Sequence, residues 1–163
     1  MSNAQSSAPV QTEAPAQVSI CRRYRVSPEK VWRAWTEPQA LSQWFGHPGQ
    51  PRSATVAEID LRVGGQYRIT FAGQTSEMNQ VSGVYQEVEP HRRLVFTWAW
   101  QSTPERVSRV SIELMPLDQG RGTELNFVHD RFFDAQACIN HQRGWQPAFE
   151  TLDALLAPTG SLA

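Results

Sequence analysis

Between residues 18 and 157 the hydrophobic pattern changes period three times, and each change predicts a change of secondary structure. From Val18 to Val26 apolar and cationic residues take turns, as a strand with one covered face requires. Ser27-Pro28-Glu29-Lys30 then supplies a capping hydroxyl and a proline suited to a first helical turn. Val31, Trp32 and Trp35 follow at helical spacing. Thr36-Glu37-Pro38 restarts the chain, and Leu41, Trp44 and Phe45 continue that spacing before Gly46. The pattern predicts one strand followed by two short helices.

After His47-Pro48-Gly49-Gln50-Pro51 the period becomes twofold. Thr55 to Leu61, the turn Gly64-Gly65, and Tyr67, Ile69 and Phe71 alternating with polar residues predict a hairpin. Val81 to Val88 and Leu94 to Trp100 flank Glu89-Pro90-His91-Arg92 and predict a second. Val107 to Leu114 and Thr123 to His129 flank a glycine-rich turn and predict a third, giving about seven strands. Asp134 then caps an amphipathic helix carrying Cys138, His141, Trp145, Phe149, Leu152 and Leu156 three or four residues apart. Gly144 and Pro147 predict a bend in it, because proline deletes one helical hydrogen bond.

This order predicts an α+β domain: a curved antiparallel sheet wrapped around its C-terminal helix, the only large apolar cover available. Parity puts Ile59, Tyr67, Ile69, Phe71, Phe96, Trp98, Trp100, Ile112, Leu114, Leu125 and Phe127 on the covered face. It puts Glu58, Asp60, Arg68, Thr97, Arg109, Glu113 and Asn126 on the wet one. So many rings around one helix fit either a ligand pocket or a fully packed core, and the pattern leaves both open.

Composition narrows the function. The chain has 163 residues and a net charge of −1, with a pI near 6.4. Nucleic acid is not an expected partner, since no positive field is available to meet a polyanion. The arginines at 22, 23, 25, 92 and 93 read as solvated strand ends. No apolar run approaches the roughly 18 residues of a membrane span, so no membrane insertion is expected. Residues 1–17 read as a disordered leader without signal-peptide features, 18–157 as the domain, and 158–163 as a flexible tail. Cys21 and Cys138 form no CxxC motif and read as reduced, buried small residues of a cytoplasmic protein.

Candidate chemistry is sparse. His47, His91, His129 and His141 show no metal-binding spacing, and no nucleotide or nucleophile motif occurs, so no metal and no cofactor are expected. Glu58 and Asp60 share one strand face and read as solvated rather than as an acid-base pair. His141, one turn before Trp145, is the candidate proton shuttle; a hydrogen-bonded core histidine is the plainer alternative.

Several segments together resemble a known family. These are Val31-Trp32-Arg33-Ala34-Trp35-Thr36, Trp44-Phe45-Gly46, Glu58 to Gly65, Gly83-Val84-Tyr85, Arg93 to Trp98, Gly122 to Leu125, and His141 with Gly144-Trp145. In them the chain, over about Ile20 to Leu156, is similar to proteins like the C-terminal domain of the Hsp90 ATPase activator. The resemblance implies the helix-grip fold of the START and Bet v 1-like (SRPBCC) superfamily and an internal cavity, and superfamily members bind lipids, hormones and polyketides, while some are cyclases. The first functional expectation is therefore binding of a small hydrophobic or aromatic molecule. Its site would be lined by Trp44, Tyr67, Ile69, Phe71, Phe96 and Phe127, with Trp98, Trp100, Trp145 and Phe149 stacking and His129 or His141 orienting a polar group. Two alternatives stand beside it: a cyclase- or hydrolase-type enzyme using His141, and a chaperone or regulator interaction module. Hsp90 itself is not expected, because no counterpart of the cochaperone's separate N-terminal domain is seen. A homodimer is left open.

Overall fold

The structure is a computed structural model and describes residues 16–158. The expected leader and tail therefore lie, over 1–15 and 159–163, outside the described residues. Ten main elements follow one another: β1 (Val18–Tyr24), α1 (Pro28–Thr36), α2 (Pro38–Leu41), β2 (Val56–Ile59), β3 (Gln66–Ala72), β4 (Met78–Glu89), β5 (Arg93–Trp100), β6 (Ser108–Leu117), β7 (Gly122–Asp130) and α3 (Ala135–Leu155).

The strands form one antiparallel sheet in the order β1-β7-β6-β5-β4-β3-β2. Each hairpin pairs with the next, so only β1 sits out of sequence, joined to β7 with Ile20 opposite Phe127. The helices α1 and α2 carry the chain from one sheet edge to the other. On the concave face α3 lies against the sheet, with Trp145 and Phe149 packed on Phe127 at ring separations of 4.7 and 5.2 Å. The fold is the curved-sheet helix grip that the pattern predicts.

Local chemistry explains the ends. Ser27 accepts the Lys30 N–H at 3.4 Å with Pro28 in the first turn of α1, and Asp134 accepts the Ala137 N–H at 2.8 Å at the start of α3. Gly64 and Gly120 adopt φ of +86° and +89° in their turns. At Gly83 a β-carbon would stand 1.9 Å from the Thr97 carbonyl oxygen, so β4 and β5 approach as closely as they do only because that residue has none.

Three expectations need correction. The second helix is a single turn ending at Leu41, so Trp44 and Phe45 lie beyond it. They are held there by tertiary bonds, Trp44 Nε1–H to the Ala34 carbonyl at 2.8 Å and the Thr55 hydroxyl to the Phe45 carbonyl at 2.9 Å. Cys21 is exposed, because on the edge strand β1 it alternates outward while Val18 and Tyr24 turn in; Cys138 is buried, and both thiols are free. Arg22 is not simply solvated: it turns toward α3, where it pairs with Asp153 at 3.1 Å. Helix α3 runs through Gly144 and Pro147 as one element.

Candidate active or binding site: a cleft beside two histidines

The aromatic residues expected to line one cavity divide between two spaces. Trp44, Tyr67, Ile69 and Phe96 line a small void of about 20 Å³, room for roughly one water molecule. Phe71, Trp100 and His141 instead line an open cleft of about 580 Å³ between the β3–β4 turn, β5 and α3. Trp98 and Trp145, together with Phe45, line both spaces and form the partition between them. Phe127, Phe149 and His129 line neither and back the partition from behind. The space expected inside the domain is thus mostly a cleft at its surface. Ring-to-ring contacts fill the interior: Trp145 lies 5.1 Å from Trp98, 6.0 Å from Phe45 and 6.2 Å from Trp35.

Parity of β7 turns His129 inward, where it is completely buried. Trp145 Nε1–H donates to its Nδ1 at 3.0 Å. Indole is a donor only, so Nδ1 carries no proton and the proton of the neutral ring sits on Nε2. There it donates to the Ser108 hydroxyl at 2.7 Å, and that hydroxyl donates to the Trp98 carbonyl at 3.2 Å. Each group in this chain is satisfied in one direction only. Burial pushes the His129 pKa down to about 2, with the neighbouring His141 adding to the effect.

His141, on the cleft side, is arranged in the opposite sense. Its Nε2 accepts the Trp100 indole N–H at 2.9 Å, so Nδ1 carries the proton and donates to the Ala137 carbonyl at 2.7 Å. Burial lowers its pKa, while the bond to Ala137 works against that shift. The two imidazoles meet edge to face at 4.9 Å, with Phe132 packed 4.4 and 4.9 Å from them. Both histidines are therefore neutral and hold tryptophans in place. Neither has a free lone pair.

The cleft wall on α3 is unusual. Gly144 faces it with nothing within 4 Å of where a β-carbon would stand. Pro147, also in the lining, has no N–H for the Arg143 carbonyl one turn earlier. Arg143 and Asn140 add polar groups from the helix, and Glu77 and Asn79 add them from across the cleft. Parity could have revealed Ser108, two residues before Val110 and four before Ile112. Helical spacing marked Trp35 and Phe45 as apolar positions but not as site residues; Trp35 lines the void, and Phe45 lines both spaces.

Among the described residues no three His, Cys, Asp or Glu side chains converge on a point that could hold a metal ion. No helix among them is long and apolar enough to cross a membrane. Glu58 and Asp60 pair with Arg68 and Arg62 on the outer face.

Comparison with known proteins agrees with this architecture. The sequence profile described as Activator of Hsp90 ATPase homolog 1-like protein matches residues 25–157. Protein CV1439 from Chromobacterium violaceum is 29% identical with a TM-score of 0.74, over 88% of this chain and 99% of its own. CalU16 from Micromonospora echinospora is 28% identical with a TM-score of 0.65, over 87% of this chain and 76% of its own. An HSP90 activator from Plasmodium falciparum, PFC0360w, is 20% identical with a TM-score of 0.67 over 86% and 95%, a likeness of fold alone. No curated protein matches the chain.

Proposed function

Because the chain belongs to the family of Activator of Hsp90 ATPase homolog 1-like proteins, whose fold is used for ligand binding, we propose that it binds a small hydrophobic or aromatic molecule in the cleft beside α3. The observation that carries this reading is the cleft itself. Its volume of about 580 Å³ falls within the roughly 300–1,000 Å³ usual for small-molecule sites. Phe71, Trp98, Trp100 and Trp145 supply aromatic surface, and Glu77, Asn79, Asn140 and Arg143 supply polar groups in the same lining.

Gly144 supports the same reading. A glycine inside a helix costs roughly 0.5–1 kcal/mol relative to alanine, and here no neighbour forbids a side chain. The cost is matched by space: any larger residue would project into the cleft. Titration with 8-anilinonaphthalene-1-sulfonate tests the proposal. Saturable one-to-one binding with quenching of tryptophan emission, lost in Gly144→Leu, is the expected result. Absence of binding to the wild-type protein, with a bare mass by native mass spectrometry, would remove the reading.

An enzymatic role for His141 gains no comparable support. Both ring nitrogens are engaged, so proton transfer would first require Trp100 to release Nε2.

A further inference from the structure

Of the six tryptophans, three give their indole N–H to a protein acceptor: Trp44 to Ala34, Trp100 to His141 and Trp145 to His129. Two others, Trp35 and Trp98, are 5% and 3% exposed, and their indole nitrogens are buried with no partner. Buried donors without acceptors are uncommon, because each has given up its bond to water for nothing in return. These two share a location, since both rings line the 20 Å³ void. Trp98 also belongs to the partition that divides the void from the cleft.

We propose that void and cleft are two parts of one site, and that its ligand is an apolar aromatic molecule carrying a neutral hydrogen-bond acceptor, such as a ketone oxygen, that takes the Trp98 indole N–H. The inference rests on the cleft being the binding site and adds the chemical class of what binds. The ring of the ligand lies in the cleft against Trp100 and Phe71. Its acceptor reaches past Phe45 and Trp145 toward the void, whose volume admits one oxygen-sized group. Trp35, deeper around the same void, is the second available donor.

The acceptor is neutral for a physical reason. No charged side chain lines the void, and a carboxylate moved there would lose its hydration with no countercharge to replace it. Of the two tyrosines lining the void, Tyr67 already gives its proton to the Thr97 carbonyl at 2.6 Å. The histidine pair does not compete as a donor, since its protons are committed to Ser108 and Ala137.

A matched pair of probes tests this: 2-acetylnaphthalene and 2-isopropenylnaphthalene, which have nearly the same shape and differ in C=O against C=CH2. Both are expected to bind the wild-type protein. Trp98→Phe is expected to weaken the ketone by roughly tenfold, the size of one lost hydrogen bond, and the alkene by less than about threefold. In the wild-type protein, ¹⁵N-resolved spectra should show the Trp98 indole N–H moving downfield with the ketone and not with the alkene, which keeps the test valid if the variant folds poorly. Equal weakening of both probes, or equal indole shifts, would overturn the acceptor assignment and leave the cleft standing. Failure of both probes to bind the wild-type protein would overturn the cleft and this inference together.

Discussion

Trp145 donates its indole N–H to Nδ1 of His129 at 3.0 Å, and that bond decides where the buried imidazole keeps its proton. A donor on one side of the ring forces the other nitrogen to be a donor in turn, so the order Trp145, His129, Ser108, Trp98 carbonyl runs one way. It ties α3 to β7, β6 and β5 through the centre of the molecule, and it places two of the three partition rings.

Acid is expected to loosen this arrangement. The unfolded chain takes up a proton on His129 near the ordinary imidazole value of about 6.5, whereas burial holds the folded-state value at about 2. The unfolded state therefore binds more protons throughout that window. Stability is full above about pH 6.5 and falls as the pH drops toward 2, by about 2 kcal/mol between pH 6.5 and pH 5 from this group. Urea denaturation at the two pH values measures it. In His129→Gln, whose amide can accept from Trp145 and donate to Ser108 without titrating, the slope should flatten by the same amount.

Removing either end of the chain should be costly. Ser108→Ala leaves the His129 Nε2–H buried without a partner and is expected to destabilise by about 1–3 kcal/mol. Trp145→Phe orphans Nδ1 and also leaves empty space, for an expected loss of about 2–4 kcal/mol. The double variant should lose less than the sum, because the two bonds share one ring. Denaturant midpoints with unchanged slopes would establish all three values.

Gly83→Ala should destabilise by about 3 kcal/mol, near the upper end of overpacking. The added carbon would meet the Thr97 carbonyl oxygen at 1.9 Å, and that carbonyl also accepts the Tyr67 hydroxyl. Strands β4 and β5 would have to part. A thermal melt close to wild type would show that the strands separate more easily than their spacing implies.

Gly144→Ala should do the reverse and stabilise by about 0.5–1 kcal/mol, since a β-carbon there meets nothing within 4 Å. Calorimetry measures the gain. Paired with the Gly144→Leu titration, it separates occupation of the cleft from damage to the helix.

The two cysteines should differ in reactivity. Exposed Cys21 is expected to react with an aromatic disulfide reagent in the native protein, and buried Cys138 only after denaturation. Burial also raises the Cys138 pKa and so lowers its thiolate fraction. One equivalent released natively and two in denaturant is the expected count.

The sequence by itself determined the element order, the sheet class, the caps at Ser27 and Asp134, and the inward-facing rings of β3, β5 and β7. These follow from period, parity and side-chain chemistry within a few residues, which act before any distant contact forms. It also placed Trp145 and His141 on the inner face of α3, through their spacing. Tertiary structure decided the rest. Trp44 and Phe45 left the helical pattern because bonds from Ala34 and Thr55 hold them elsewhere. The rings of the inner face split between a small void and an open cleft, according to how β5, α3 and the α2 turn meet. Which nitrogen of each histidine bears its proton depends on Trp100, Trp145, Ser108 and Ala137. Most of these lie far along the chain, and a periodic pattern records the face a residue occupies, not the partner it meets there.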